Sequence, residues 1–135
     1  MNIIVDTCIW SLAFRRKKNA SLTEVIILTE LIKDSRVQIL GPIRQEVLSG
    51  IKSKDQFFLL QDKLRAFPDL QLFEEDYEKA AESFNLCRSN GIQGSNTDFL
   101  ICAVALRSNM PVYTIDNDFK YYQKFLDFSL YGHNY

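Results

Sequence analysis

Eight consecutive apolar residues, Phe99 to Leu106, lie between Asp98 and Arg107. At helical pitch they leave no polar face, so a helix here is enclosed on every side rather than laid on a surface. A chain of 135 residues can enclose it only by wrapping other elements around one core. The rest of the sequence supplies such elements, because short apolar runs alternate with helical periodicity. That order favours an α/β fold with a mostly parallel sheet and helices on both faces.

The first strand is expected from about Asn2 to Asp6, followed by a short helix carrying Ile9, Trp10, Leu12 and Ala13. Ser21-Leu22-Thr23-Glu24 is a capping-box sequence, and Val25, Ile26, Leu28, Leu31 and Ile32 give its helix an apolar face as far as Lys33. A second strand, Val37 to Leu40, runs into Gly41-Pro42, where proline suits the first helical position. Ser53 to Gln56 opens another helix, ending near Ala66, and Leu70 to Phe73 reads as a short strand. Tyr77, Ala80, Ala81, Phe84 and Cys87 predict the buried stripe of a helix over Glu75 to Arg88, stopped by Asn90-Gly91. Ile92 to Thr97 is expected as a loop delivering Asp98 to the start of the enclosed helix. A strand over Val112 to Ile115, a short helix with Phe119, Tyr122 and Phe125, and an edge strand near Phe128 to Tyr131 complete the pattern. Without repeats or a linker, residues 1–135 read as a single domain.

Composition removes several classes. The cysteines Cys8, Cys87 and Cys102 are odd in number and widely spaced, which argues against a disulfide framework and against a zinc site and suits buried thiols in a reducing compartment. Met1 leads directly into a strand pattern with no secretory signature, and no apolar run approaches the roughly 20 residues of a membrane span. The expectation is a cytoplasmic protein with no membrane partner. His133, third from the last residue, is the only histidine, which disfavours histidine-based hydrolysis. Trp10, Phe57, Phe58, Tyr121 and Tyr122 are core or subunit-interface candidates by default.

Four acids are placed where this topology would gather them: Asp6 after the first strand, Glu46 one turn into a helix, Asp98 at a helix start, and Asp116 after the strand ending at Ile115. Ligands of open parallel sheets bind beyond the carboxyl ends of the strands. Taken singly, each acid has an ordinary explanation as a cap, a turn residue or a solvated side chain. Taken together, two follow strands and two lie on helices flanking the same edge. Carboxylates about 4 Å apart repel by roughly 4 kcal/mol per pair at an effective dielectric near 20, so a cluster calls for a divalent cation. Hard oxygen ligands suit Mg²⁺ or Mn²⁺, and phosphodiester hydrolysis suits either ion. Net charge is −1, yet setting the four acids aside leaves the remainder positive. Arg15, Arg16, Lys17 and Lys18 then form a candidate phosphate-contacting edge as well as an ordinary solvated loop.

Val5-Asp6-Thr7, Gln45-Glu46-Val47, Thr97-Asp98-Phe99-Leu100-Ile101-Cys102-Ala103 and Thr114-Ile115-Asp116-Asn117-Asp118-Phe119 together resemble the PIN-domain ribonucleases over essentially the whole chain. The size resembles the VapC-type toxins of toxin-antitoxin modules. The resemblance implies a three-layer α/β/α sandwich and Mg²⁺- or Mn²⁺-dependent endonucleolytic cleavage of RNA by in-line attack of metal-activated water, leaving a 5′-phosphate and a 3′-hydroxyl. It assigns Asp6, Glu46, Asp98 and Asp116 as the catalytic set, with Asp6, Asp98 and Asp116 on metal. Asp118 matches a further acidic position, while Thr7 and Thr114 match hydroxyls that orient the acids. Cys8 stands where relatives often have serine, a stronger hydrogen-bond partner. Ser95 and Asn96 are candidates for phosphate contact or for plain helix capping. The resemblance also implies a cognate antitoxin protein and a homodimer, with tRNA, rRNA or mRNA as substrate. Two alternatives remain at this stage. A non-catalytic PIN-like RNA-binding or scaffold module would normally have lost one or more of the acids. An aspartyl phosphatase would need a second aspartate two residues after the first, where Cys8 stands, and a receiver domain would need an early acidic pair and a lysine after the last core strand, which are missing.

Overall fold

The computed structural model describes residues 1–14 and 22–132. Arg15 to Lys18, the Ser21 cap and His133 lie outside the described residues. A central parallel sheet is flanked by helices in a three-layer α/β/α sandwich, as the alternating pattern predicts. Its strands are β1 (Ile3–Val5), β2 (Val37–Gln38) and β3 (Val112–Tyr113), in the order β2-β1-β3. Ile3 pairs with Val37 on one side, and Ile4 with Val112 on the other. The middle strand is thus paired along both edges, and helix layers cover both of its faces, which is why Ile3, Ile4 and Val5 show no polar alternation and no exposed surface.

The helices are α1 (Thr7–Phe14), α2 (Thr23–Lys33), α3 (Gly41–Leu48), α4 (Lys54–Leu64), α5 (Glu74–Ser89), α6 (Asn96–Ser108) and α7 (Asp118–Tyr122). Residues Phe99 to Ala105 of α6 are all buried, and α5 packs along its length. Trp10 of α1 is fully enclosed and donates its indole N–H to the Val5 carbonyl at 3.0 Å, which ties the first helix to the strand before it. Ser53 accepts from the Gln56 amide and caps α4 as its sequence predicts. Among the described residues, no helix is long and apolar enough to cross a membrane.

Several elements differ from expectation, each for a local reason. The strand predicted over Val112 to Ile115 stops at Tyr113, because the last ladder bond runs from the Asp6 amide to the Tyr113 carbonyl and Thr114 then turns its hydroxyl to Asp6. Ile115 is consequently exposed. Leu70 to Phe73 forms no strand. One parallel bridge, Ile39 to Asp69, precedes a lead-in to α5, whose first turn captures the Phe73 amide with the Asp76 carboxylate at 2.9 Å. The predicted edge strand near Phe128 reduces to the bridge of Leu130 with Val112. The α5 stripe is rotated from the predicted one: Asp76, Ala80, Ser83 and Cys87 are buried, whereas Tyr77 and Ala81 face outward. Ile26, assigned to the apolar face of α2, is exposed, as are Phe58, Tyr121 and Phe125.

Candidate active site at the carboxyl edge of the sheet

The chain leaves β1 at Asp6 and β3 at Thr114, so the parallel order of neighbouring strands sets these two residues side by side. Asp6 is 5% exposed, and its carboxylate is held from three directions. The Thr7 amide donates to Oδ1 at 2.8 Å, the Thr114 hydroxyl donates to Oδ2 at 2.8 Å, and the Cys8 thiol lies 3.4 Å from Oδ2. Cys8 Sγ is also 3.3 Å from Thr114 Oγ1. The thiol thus occupies a serine-like position as a supporting contact. Burial, followed by the neighbouring Asp6 charge, pushes that thiol up to about 11, so it stays protonated.

Thr114 continues the network by accepting the Asp116 amide at 3.0 Å. Asp116 Oδ1 in turn accepts the Asp118 amide at 2.9 Å, closing the turn that starts α7. Asp118 has an exposed side chain. Across the edge, Thr7 Oγ1 donates to Glu46 Oε1 at 2.7 Å, which converts an exposed helical glutamate into a tethered one. The two threonines therefore reach different acids, Glu46 and Asp6.

Asp98 is the third residue of α6 rather than its first, with Ser95 as the cap. Ser95 Oγ accepts the Asp98 amide at 3.0 Å, so capping is the observed role of this serine. Asp98 Oδ2 accepts a hydrogen bond from the Tyr122 hydroxyl at 2.7 Å. Sequence reasoning placed Tyr122 in the core or at an interface and missed this contact. The available signal was weak: a tyrosine on a buried helical face needs a partner for its hydroxyl. A cavity of about 350 Å³ lies beside α6, lined by Pro42, Tyr77, Ala80, Asn96, Thr97 and Leu100.

Electrostatics bind the aspartates into one group. Burial raises the Asp98 carboxyl to about 6, the charges of Asp6 and Asp116 push the same way, and the Tyr122 and Ser95 hydrogen bonds oppose them. Asp6 is also raised, by burial first and by Asp116 last, against the bonds from Thr114, Thr7 and Cys8. Asp6 thus senses the charge of Asp116, and Asp98 senses both. Glu46 joins them through Thr7.

A resident metal is tested by this donor set. Every acidic ligand offers oxygen, the one thiol remains protonated, and no histidine approaches among the described residues, a chemistry that suits Mg²⁺ or Mn²⁺ over zinc. Among the described residues, no three of these groups converge to hold an ion unaided.

A family model described as the PIN domain matches residues 3–124. Among solved structures, VapBC2 from Rickettsia felis bound to a DNA fragment from their promoter aligns with a TM-score of 0.77 at 19% identity, over 99% of this chain and 100% of that one. FitAcB from Neisseria gonorrhoeae aligns at 0.75 and 19% identity, covering 96% of each chain. VapBC-1 from nontypeable Haemophilus influenzae aligns at 0.68 and 17% identity, again over 96% of each. At these identities the likeness is one of fold. No curated protein matches the chain.

Proposed function

The chain belongs to the PIN-domain family, whose members are generally nucleases, and on that premise we propose that it is a metal-dependent endoribonuclease acting as the toxin of a toxin-antitoxin pair. One observation carries the reading: the carboxyl edge of the sheet gathers Asp6, Asp98 and Asp116 closely enough that the Asp116 charge raises Asp6 and both charges raise Asp98, while dedicated hydroxyl donors keep Asp6 and Asp98 aimed. A core with no chemistry to perform gains nothing from such repulsion.

In this reading Mg²⁺ or Mn²⁺ would be held by one or two of Asp6, Asp98 and Asp116 directly and by the remainder through bound water. The ion supplies an acidified water and neutralises charge on the phosphate. Thr114 fixes Asp6, Tyr122 fixes Asp98, and Thr7 holds Glu46 where it orients the attacking water. Attack in line on phosphorus breaks the bond to the 3′ oxygen, which leaves with a proton and yields a 5′-phosphate and a 3′-hydroxyl. Asp118 acts through water at the rim. Arg15, Arg16, Lys17 and Lys18 are the proposed phosphate contacts, and structured RNA such as tRNA or rRNA is the proposed substrate. A cognate antitoxin is proposed on the fold shared with VapBC and FitAcB, and a homodimer and a cytoplasmic setting are proposed alongside it.

The test is cleavage of total cellular RNA by purified, antitoxin-free protein with Mg²⁺ or Mn²⁺, mapping the 5′ ends. Discrete cuts abolished by EDTA are expected. Cutting that persists in EDTA would overturn the metal requirement, and failure to cut any cellular RNA would overturn the nuclease reading. Within the same assay, Thr7→Val removes the hydroxyl from Glu46 and keeps the amide bond to Asp6. The expected result is a roughly tenfold lower kcat, the scale of one hydrogen bond to a charged group, with melting nearly unchanged. An unaltered kcat would remove Glu46 tethering from the mechanism.

A further inference from the structure

We propose that Tyr122 is a positioning residue that aims Asp98 at the metal, and that Gly94 exists to leave its hydroxyl room; this rests on the nuclease reading above. Tyr122 is fully buried, with its ring 4.8 Å from that of Phe99 and 5.2 Å from that of Phe119. Those contacts fix the direction of the phenol, and its hydroxyl ends on Asp98 Oδ2 at 2.7 Å. One oxygen of Asp98 is therefore committed to the phenol, which restricts rotation of the carboxylate.

Gly94 lies in the loop entering α6. A Cβ there would stand 2.4 Å from the Tyr122 hydroxyl oxygen, 2.8 Å from Cζ and 2.9 Å from Phe99 Cε2. These separations are below any tolerated contact, and a fully buried ring between two aromatic neighbours cannot swing aside freely. Space, not backbone conformation, requires glycine. Gly94, Phe99 and Tyr122 thus form one latch across α7, the loop and α6, and it closes on a carboxylate rather than on an inert group. A purely structural tyrosine could have bonded a backbone carbonyl, as Tyr113 does with Glu24 at 2.7 Å.

The test is Tyr122→Phe, which keeps the ring and deletes the donor. Loss of a partner that orients a metal ligand typically costs 10–100-fold in affinity or activity. Calorimetric titration with Mn²⁺ alone, without RNA, is expected to show roughly tenfold weaker binding. At fixed Mn²⁺, kcat should fall with KM for RNA unchanged, and saturating Mn²⁺ should restore most of it. Gly94→Ala should move the same quantities the same way if it folds. Wild-type Mn²⁺ affinity in a folded Tyr122→Phe protein would overturn the role, as would a change in KM alone. A wild-type protein that neither binds Mn²⁺ nor cuts RNA would overturn the nuclease reading and the positioning role together.

Discussion

Asp98→Asn protein is expected to fold, to cut RNA more than about a hundredfold more slowly than wild type, and to be the more stable of the two in EDTA at neutral pH. The loss of activity should exceed what removing an outer partner of a metal ligand costs, because the ligand itself is changed. The gain in stability follows from burying a charged carboxylate, with repulsion from Asp6 and Asp116 adding to it. Folding raises the Asp98 carboxyl from 3.8 to about 6, chiefly through burial and then through Asp6 and Asp116. A raised carboxyl favours the protonated form in the folded state, so its contribution is present below pH 4 and is lost as pH rises through 6. Asparagine carries no charge to lose, and its carbonyl can still accept the Tyr122 hydroxyl. The difference in Tm, variant minus wild type, should be near zero at pH 4, grow through pH 6 and then level off. Adding Mn²⁺ at pH 7 should raise the wild-type Tm more than that of the variant. Thermal melts at several pH values with and without EDTA measure this. A variant less stable than wild type in EDTA at pH 7 would show that Asp98 serves the fold, and undiminished cleavage would remove it from the site.

That prediction draws on a site partly legible in the sequence. Asp6 and Asp116 were readable because each follows an apolar run, and parallel topology sends the ends of neighbouring strands to one edge. Glu46 was the least distinct of the four, since an exposed glutamate on a short helix has no signal beyond the placement of that helix at the same edge; the Thr7 contact across 39 positions is what distinguishes it. Tyr122 and Gly94 were invisible as parts of the site. Their relation to Asp98 depends on how α7 folds back on α6, and neither hydrophobic period nor turn chemistry encodes that angle. The buried helix was legible because it has no polar face. The short strands were overextended because apolar runs continue past the point where side chains such as Thr114 replace ladder bonds. Cys8 shows the opposite error: thiols are weak partners in general, yet here Sγ reaches both Asp6 and Thr114.

The rotated stripe of α5 leads to the largest stability effect expected in this chain. Periodicity selected Tyr77, Ala80, Ala81, Phe84 and Cys87 because they are apolar, but the helix instead buries Asp76, at 1% exposure, in register with Ala80, Ser83 and Cys87. What permits this is Arg107, far along the sequence at the end of α6. Its Nε donates to Asp76 Oδ1 at 2.6 Å and its Nη2 to Oδ2 at 3.1 Å, while the Phe73 amide takes a further bond to Oδ2 at 2.9 Å. The guanidinium also stacks 4.8 Å from the Phe73 ring centroid. A carboxylate satisfied this way joins the first turn of α5 to the last turn of α6. Asp76→Ala strands the guanidinium and the Phe73 amide, and breaking a buried pair from one side costs about 3 to 5 kcal/mol. Because Arg107 keeps some access to water, about 3 kcal/mol is expected, or roughly 10 °C in Tm for a domain of this size. Little of that loss should depend on salt, in contrast to the exposed Lys79–Glu82 pair. Activity per folded molecule should persist, since Arg107 lies about 14 Å along the helix from Asp98. Replacing both partners, as Asp76→Leu with Arg107→Met, should recover most of the lost stability, because an apolar pair leaves no stranded charge. If Asp76→Ala melts within a degree or two of wild type, α5 and α6 are held by apolar packing alone; if the double replacement is no better than the single, the helix start rather than the ion pair is what Asp76 supports.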